Sequence, residues 1–246
     1  MKRALLAAAL VILTAGCAGD DERTTTDTTT TAPTTQTSPV RVYWLRDGKV
    51  WPVARDVETP AVATAALGEL FEGPTEQEAD LGLTTAIPDG IEEADVSIED
   101  GLAAVQLDVQ LLDEALAQIV YTLTEFPTVE RVEIQERIVT RADFEDETPA
   151  ILVESPLSFE EVASPLRVTG TANTFEANFQ YELTDPDGVV VAENFVTATS
   201  GTGTRGTFEF SVPFEFEGEG TLTVFESSAK DGSRINIAEI PLRLTR

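Results

Sequence analysis

The feature that most constrains this chain is an apolar run from Ala4 to Ala15, which two cations precede and which ends at Gly16 and Cys17. About a dozen apolar residues are too few to cross a bilayer as a permanent helix. A basic start, a short apolar stretch and a small-residue exit are typical of a secretory signal peptide, which we predict at residues 1–16. Because Cys17 is the only cysteine, the remainder has no internal disulfide and must fold around hydrophobic cores.

The exit Leu13-Thr14-Ala15-Gly16-Cys17 resembles the lipobox of bacterial lipoproteins. This resemblance implies that Cys17 carries fatty acids such as palmitate and becomes the first residue of the mature chain. Thr14 departs from the pattern, because that position is usually Leu. The alternative is a plain signal peptide whose cysteine is incidental. We expect Cys17 to be the lipidation site and the protein to lie outside the cytoplasm, anchored to the outer face of the cytoplasmic membrane.

Charge and composition exclude several classes of function. The chain has 44 acidic and 16 basic residues, a formal net charge of -28, which argues against nucleic acid because phosphates require Lys and Arg. It contains no histidine, which removes the commonest general base and the commonest metal ligand. We therefore predict no catalytic residues, no metal site and no cofactor, and a protein that is not an enzyme.

Composition also divides the exported part of the chain. Residues 17–39 are rich in Thr, with Pro and Ser, which is typical of a flexible tether that is open to O-glycosylation. Apolar periodicity begins at Val40 and predicts an α+β domain over residues 40–138. A charged linker over residues 139–150 and an all-β domain over residues 151–246 follow.

Turn signals and periodicity give the elements of the first domain. Alternation from Val40 to Leu45 and the dipeptide Asp47-Gly48 predict a hairpin. Thr59 before Pro60 predicts the start of a helix that Gly73-Pro74 ends. The acidic passage that follows, Glu76 to Asp80, is predicted to be a loop.

A second hairpin is predicted at Asp100-Gly101, a second helix from Leu112 to Leu123, and a last strand from Val129 to Ile134. Two helices on one face of a small mixed sheet make an α+β sandwich.

Four segments of this domain resemble the GerMN domain, a module of bacterial sporulation and germination lipoproteins: Val42-Tyr43-Trp44, Leu70-Phe71-Glu72-Gly73-Pro74, Thr85-Ala86-Ile87-Pro88 and Gln118-Ile119-Val120-Tyr121-Thr122-Leu123-Thr124. One departure is the end of the domain. The family often closes its last strand with a polar turn containing Gly, whereas Gln135–Ile138 passes directly into the linker. The resemblance implies a fold similar to ring-building domains of envelope machines and brings no catalytic residues.

The second half has the pattern of a β-sandwich without helices. Apolar residues alternate from Phe175 to Leu183, the turn Asp185–Gly188 follows, and alternation returns from Phe208 to Phe214. Pro241 is expected to confine the last strand to an edge or a bulge. Short strands with regular turns and no helix predict a β-sandwich.

Several spaced motifs of this half resemble the immunoglobulin-like domain of bacterial spore germination: Glu154-Ser155-Pro156-Leu157, Ser164-Pro165-Leu166, Phe175-Glu176-Ala177, Val212-Pro213-Phe214, Val224-Phe225-Glu226-Ser227-Ser228 and Glu239-Ile240-Pro241-Leu242. The resemblance covers residues 151–246 and implies a binding or scaffold module.

Five candidate sites each have a plainer interpretation. Asp185, Asp187 and Gly188 open like a calcium loop but fit a simple turn better, because later oxygen ligands are missing. The other four candidates are three alternating carboxylates (Glu215, Glu217 and Glu219), a glycine pattern (Gly201, Gly203 and Gly206), two serines before proline (Ser155 and Ser164) and three aromatic residues (Tyr43, Trp44 and Trp51). We expect the carboxylates to lie at a solvated strand end, the glycines in a loop between strands, the serines at strand edges and the aromatic residues in the hairpin core. The alternative for the aromatic residues is that they stack on a glycan.

We therefore predict a non-enzymatic, membrane-anchored lipoprotein that acts as a protein-interaction or assembly module of the cell envelope. Its expected partners are envelope or membrane proteins, with self-association as one form, and not nucleic acid. Two alternatives stay open. Similar GerMN lipoproteins sit beside membrane sensor kinases and modulate them, and a glycan-binding or wall-remodelling protein would act through carboxylates.

Overall fold

The computed structural model describes residues 36–91 and 93–246, which group into one compact unit. The predicted signal peptide, Cys17 and the tether up to residue 35 lie outside the described residues. The division into two domains stays a prediction, and each half is described in turn.

The first half contains strands and three helices in an α+β arrangement: β1 Thr37–Arg46, β2 Lys49–Glu58, α1 Val62–Glu72, α2 Glu76–Asp80, β3 Leu83–Thr84, β4 Asp95–Glu99, β5 Leu102–Gln106, α3 Asp113–Leu123, β6 Arg131–Ile134 and β7 Arg137–Val139. They form two sheets, in the orders β2-β1-β3 and β4-β5-β6-β7, and β5 and β6 are parallel. The predicted fold class is confirmed, although the strands are divided between two sheets instead of one.

The β1–β2 hairpin is confirmed, and it is longer than predicted. Asp47 and Gly48 form its turn with φ angles of 53° and 73°, which suit glycine and are tolerated by aspartate. Thr37 pairs with Glu58, so β1 takes in three residues, Thr37 to Pro39, that we assigned to the tether. The reason is that β2 runs on to Glu58 and offers these residues a hydrogen-bonding partner.

Strand β1 is buried on both faces. Val42 to Leu45 are each at most 5% exposed, so alternation does not separate a core face from a solvent face here. Side chains of helix α3 form hydrogen bonds with the backbone of Tyr43. Gln118 Nε2 donates to the Tyr43 carbonyl at 3.2 Å, and the Tyr43 backbone amide donates to Thr122 Oγ1 at 3.0 Å. Two buried polar side chains of α3 thus satisfy strand groups that would otherwise be orphaned.

The helix boundaries correct two predictions. Helix α1 begins at Val62 without a side-chain cap, because the amide and hydroxyl of Thr59 donate to the carbonyl of Gln36 instead. The acidic passage predicted to be a loop forms helix α2, whose first turn is closed by a capping box between Thr75 and Glu78. The predicted end of α1 at Gly73 is correct.

The second half consists of strands joined by turns: β8 Ile151–Ser155, β9 Glu161–Ala163, β10 Leu166–Ala172, β11 Asn178–Thr184, β12 Val190–Thr197, β13 Gly206–Val212, β14 Gly218–Ser227 and β15 Arg234–Thr245. Two sheets, β13-β10-β8 and β12-β11-β14-β15-β9, enclose a core in which the rings of Phe179 and Phe208 lie 4.8 Å apart. The β-sandwich is confirmed.

Two details of this half refine the prediction. Strand β11 begins at Asn178, because Phe175–Ala177 forms a 3-10 turn in which the Phe175 amide donates to Glu226 Oε1. The apolar alternation therefore extends beyond the strand, and Phe175 is 58% exposed. Pro241 lies in β15, which pairs with β14 along one side and with β9 only at Arg243–Thr245, so the last strand is an inner strand at its end and an edge strand before it.

The predicted linker is a packed segment. Residues Arg141–Glu147, named here the linking turn, form a 3-10 turn, and the side chain of Phe144 is 1% exposed within the first core. Val139 ends β7 and Ala150 directly precedes β8, so hardly any of the chain between the halves is free of regular structure.

Candidate functional site: the junction and the exposed edges

The linking turn places Arg141 between the two halves of the protein. Its Nη1 donates to Glu154 Oε1 of β8 at 2.5 Å, and its Nη2 lies 3.3 Å from Glu125 Oε2 beyond α3. Its Nε also donates to Thr124 Oγ1 at 2.7 Å. The guanidinium carbon lies 4.6 Å from the centre of the Tyr121 ring, within cation–π distance. The Arg141 side chain therefore connects the end of α3, the linking turn and β8.

Tyr43 completes this group from β1. Its hydroxyl lies 2.9 Å from Glu125 Oε2 and 3.1 Å from Glu154 Oε1, so its proton bridges the same two carboxylates that Arg141 contacts. Burial, with Glu154 as the next cause, raises the pKa of Tyr43 well above its ordinary value. Burial alone would lower the pKa of Arg141, but nearby Tyr43, Glu154 and Glu125 outweigh it and raise that pKa. Arg141 stays charged and Tyr43 stays protonated.

A second ion pair holds the other end of the linking turn. Arg205 donates to both carboxylate oxygens of Glu145 at 2.9 Å and to the carbonyl of Pro149 at 2.9 Å. Asn173 Nδ2 donates to Glu145 Oε1 at 2.8 Å. Burial alone would raise the pKa of Glu145, and the hydrogen bonds from Arg205 and Asn173 lower it below its ordinary value.

We name Arg141, Glu125, Glu154, Glu145 and Arg205 the junction. Bidentate and charge-assisted hydrogen bonds of this kind fix geometry more than they add net stability. The junction can hold the two halves in one orientation. Its carboxylates are engaged by arginine, so the arrangement offers structural support and not a reacting group.

Strand β12 presents the most apolar exposed edge in the described part of the chain. It is the first strand of its sheet and pairs with β11 on one side only. Val190 and Val191 on this strand, and Val189 just before it, are exposed, and Phe195 is 72% exposed. These residues account for four of the twelve large apolar side chains exposed in the described ranges, so apolar exposure is concentrated here.

The other predicted sites take their plainer forms. Asp185 Oδ1 accepts hydrogen bonds from the amides of Asp187 and Val189 at 3.0 and 2.9 Å, which is a turn and not a calcium loop. Among residues 36–91 and 93–246, no group of three or more Asp, Glu, Cys or His could hold a metal ion. Glu215, Glu217 and Glu219 are exposed, and Glu217 lies 3.8 Å from Arg246.

The remaining candidate residues lie within strands or next to their ends. The glycine pattern Gly201–Gly206 joins β12 to β13 and opens no helix, and its functional residue is Arg205 of the junction. Ser155 ends β8, and Ser164 Oγ accepts from the amide of Phe214 at 3.1 Å. In the aromatic group, Tyr43 and Trp44 are fully buried in the core, whereas Trp51 is only half-buried.

Sequence reasoning missed the junction. Arg141, Glu145 and Arg205 were assigned to a charged linker and a glycine-rich loop, where charges are usually solvated. A weak signal was available, because Phe144 is a large apolar residue within that linker.

Comparison with known families agrees with this architecture. Residues 41–136 match the family described as sporulation and spore germination, and residues 150–233 match the immunoglobulin-like domain of bacterial spore germination. The fold thus defines an α+β germination-type domain followed by an immunoglobulin-like domain. Both family descriptions name spore germination, and each matched range is similar to its family. Neither family description names an enzymatic activity.

Solved structures resemble parts of the chain. The tandem GerMN domains of the sporulation protein GerM from Bacillus subtilis are 29% identical over 39% of this chain, with a TM-score of 0.33, and the match spans 38% of that chain. CopC from Methylosinus trichosporium OB3b is 16% identical over 38% of this chain and 92% of that chain, with a TM-score of 0.27. No curated protein matches the sequence. Among the helices of the described residues, none has the length and apolar character needed to span a membrane.

Proposed function

We propose that this protein is a non-enzymatic interaction module of the cell envelope, held to the outer face of the cytoplasmic membrane by lipid on Cys17. The observation that carries the proposal is the exposed edge of β12. An edge strand offers unpaired amides and carbonyls to a strand of another protein, and exposed apolar side chains add area to that contact.

The composition of β12 favours pairing. Soluble proteins usually protect edge strands with Lys, Pro, bulges or covering loops, and the one register shift of β12 lies at its start, between Val190 and Ala192. Strand β12 reads Val190-Val191-Ala192-Glu193-Asn194-Phe195-Val196-Thr197 and contains one charged residue, Glu193. In a chain with 44 acidic residues this is a weakly charged strip, so an approaching strand meets little repulsion there. The partners are envelope or membrane proteins, and a second copy of this chain is one of them.

Charging the β12 edge should abolish partner contacts. In the double variant Val191→Lys/Phe195→Lys, two exposed apolar residues become cations, which block strand addition without touching the core. Cross-linking in intact cells, followed by identification of the attached proteins, should recover partners with the wild type and lose them with the variant. The matched control is Leu81→Lys/Leu112→Lys, which changes two exposed leucines that lie in no strand. Equal recovery with both double variants would refute a role for the edge.

Lipid attachment at Cys17 has its own test. The variant Cys17→Ser should move the protein from the membrane fraction to the soluble or secreted fraction and abolish incorporation of a labelled palmitate analogue, because serine offers no thiol to acylate. Thr14→Leu restores the usual lipobox residue and should keep both properties. A Cys17→Ser variant that stays in the membrane fraction with label would contradict the anchor.

A further inference from the structure

A cleft of about 580 Å³ lies between the β1–β2 turn and the first half of β15. Arg46, Asp47, Lys49 and Trp51 line one wall, and Asn236–Glu239 line the other. The volume lies within the range of about 300–1,000 Å³ that is common for ligand sites.

The cations of this cleft are unusual for the chain. Most arginines in the described part are ion-paired, but neither Arg46 nor Lys49 has a carboxylate within ion-pair distance among the described residues. They face each other across the hairpin turn. The Arg46 guanidinium carbon lies 4.8 Å from the centre of the Trp51 ring, and Lys49 Nζ donates to the carbonyl of Asp146. The carboxylates of Asp47 and Glu239 also line the cleft, but neither lies within ion-pair distance of Arg46 or Lys49, so both cations are available to an anionic ligand.

The opposite wall has an unpaired strand edge. The carbonyl of Pro241 accepts from the amide of Phe159 at 2.6 Å, and the amide of Arg243 donates to the carbonyl of Glu160 at 3.0 Å, so both residues face away from β14. Because alternate residues of an extended strand face the same side, the amide and carbonyl of Glu239 also face away from β14. Strand β9 pairs with Arg243–Thr245 only and leaves this position open. Ile237, 52% exposed, lies in the same wall.

We propose that this cleft binds an extended peptide segment of a partner protein through a carboxylate. The peptide backbone adds to β15 at Glu239, in the strand position that β9 leaves free. Its carboxylate binds Arg46 and Lys49, and an apolar side chain packs between Trp51 and Ile237. The carboxylate is that of an Asp or Glu side chain or of a chain end.

A peptide fits better than a wall glycan for two reasons. The free amide and carbonyl of Glu239 have the spacing that a second strand requires. A sugar would stack on an open aromatic face, whereas Arg46 covers one face of Trp51. This proposal rests on the proposed function, since its ligand is a segment of a protein.

Fluorescent pools of random pentapeptides test the proposal on the full mature chain. One pool has a free carboxyl terminus, a second is amidated and contains Asp or Glu, and a third is amidated without acidic residues. The wild type should bind one or both of the first two pools and not the third. Arg46→Gln/Lys49→Gln should weaken that binding at least about tenfold, because two charge-assisted hydrogen bonds are lost.

The matched control is Arg131→Gln/Lys230→Gln, which removes the same charge from two exposed cations outside the cleft. It should leave the affinity unchanged. Equal binding by the two double variants, binding of the third pool alone, or no binding to the wild type would overturn the proposal. So would competition by soluble wall saccharides with no peptide binding.

A backbone variant tests strand addition separately. Glu239→Pro removes the β15 amide that faces away from β14 and leaves the β14 ladder intact, as Pro241 already does two residues later. Glu239→Ala removes the same side chain and keeps the amide. Peptide affinity should fall with Glu239→Pro relative to Glu239→Ala while the two melting temperatures stay close. Equal affinities would exclude the β15 edge as the binding element.

In-cell cross-linking separates this proposal from the proposed function. If Arg46→Gln/Lys49→Gln binds no peptide but still cross-links to the wild-type partners, those partners do not use the cleft. The cleft would then be wrong as a partner site, and the interaction function would stand. If the wild type cross-links to no protein at all, the interaction function itself fails.

Discussion

Replacing Arg141 with Met should lower the free energy of unfolding by about 3 kcal/mol. The side chain is 26% exposed, and those of Glu125 and Glu154 are 17% exposed. Glu125 keeps its ion pair with Arg41, but removal of Arg141 leaves the poorly solvated carboxylate of Glu154 close to Glu125 and without an ion-pair partner among the described residues. Met keeps an unbranched apolar side chain at this position and removes only the cation beside Tyr121. Chemical denaturation of the wild type and the variant measures the difference.

The control is Arg167→Met on the outside of β10. Arg167 makes two hydrogen bonds of 2.9 Å to the carboxylate of Glu209, but both side chains are more than half exposed. Solvent screens such a pair, so the expected loss is much smaller than that of Arg141→Met. The same chemical change thus has a large effect only inside the junction. Similar losses for the two variants would show that Arg141 contributes no more than a surface ion pair.

Phe144→Ala should destabilise the protein by about 3–4 kcal/mol, because it removes a fully buried ring and leaves a cavity in the first core. The effect tests whether the linking turn is a packed part of the fold. Thermal and denaturant unfolding followed by circular dichroism would measure it.

Phe175→Ala is the matched control, since Phe175 also lies in a 3-10 turn but is 58% exposed. Its expected change is within about 0.5 kcal/mol. If Phe144→Ala proved as mild as this control, the link would behave as the flexible connection that its charge suggested. A large loss would show that the linking turn is a packed part of the fold.

Much of the fold could be predicted because its signals are local. Asp47-Gly48 and Asp100-Gly101 form the hairpin turns that their dipeptides require, with positive φ at each residue. Helical spacing places α3 within one residue of its predicted start at Leu112. Alternation failed at Phe175 and at Tyr43, where a nearby carboxylate and a covering helix decide the outcome.

The site could not be predicted in the same way, because its contacts join distant parts of the chain. Gln118 and Thr122 are polar residues on a predicted helix, and only the fold shows that they are buried against the backbone of Tyr43. The cleft depends on β9 beginning opposite Arg243, beyond Glu239, which is a matter of sheet register.

The sequence by itself determined the export signal pattern, the two domain types, the turns and the absence of histidine, because each is a property of composition or of neighbouring residues. Only the tertiary structure decided that the charged linker is a packed turn. Arg205 and Glu145 lie 60 positions apart in the chain, and folding brings their charges within hydrogen-bond distance. No local sequence pattern specifies which carboxylate an arginine will pair with, so the junction could be identified only from the tertiary structure.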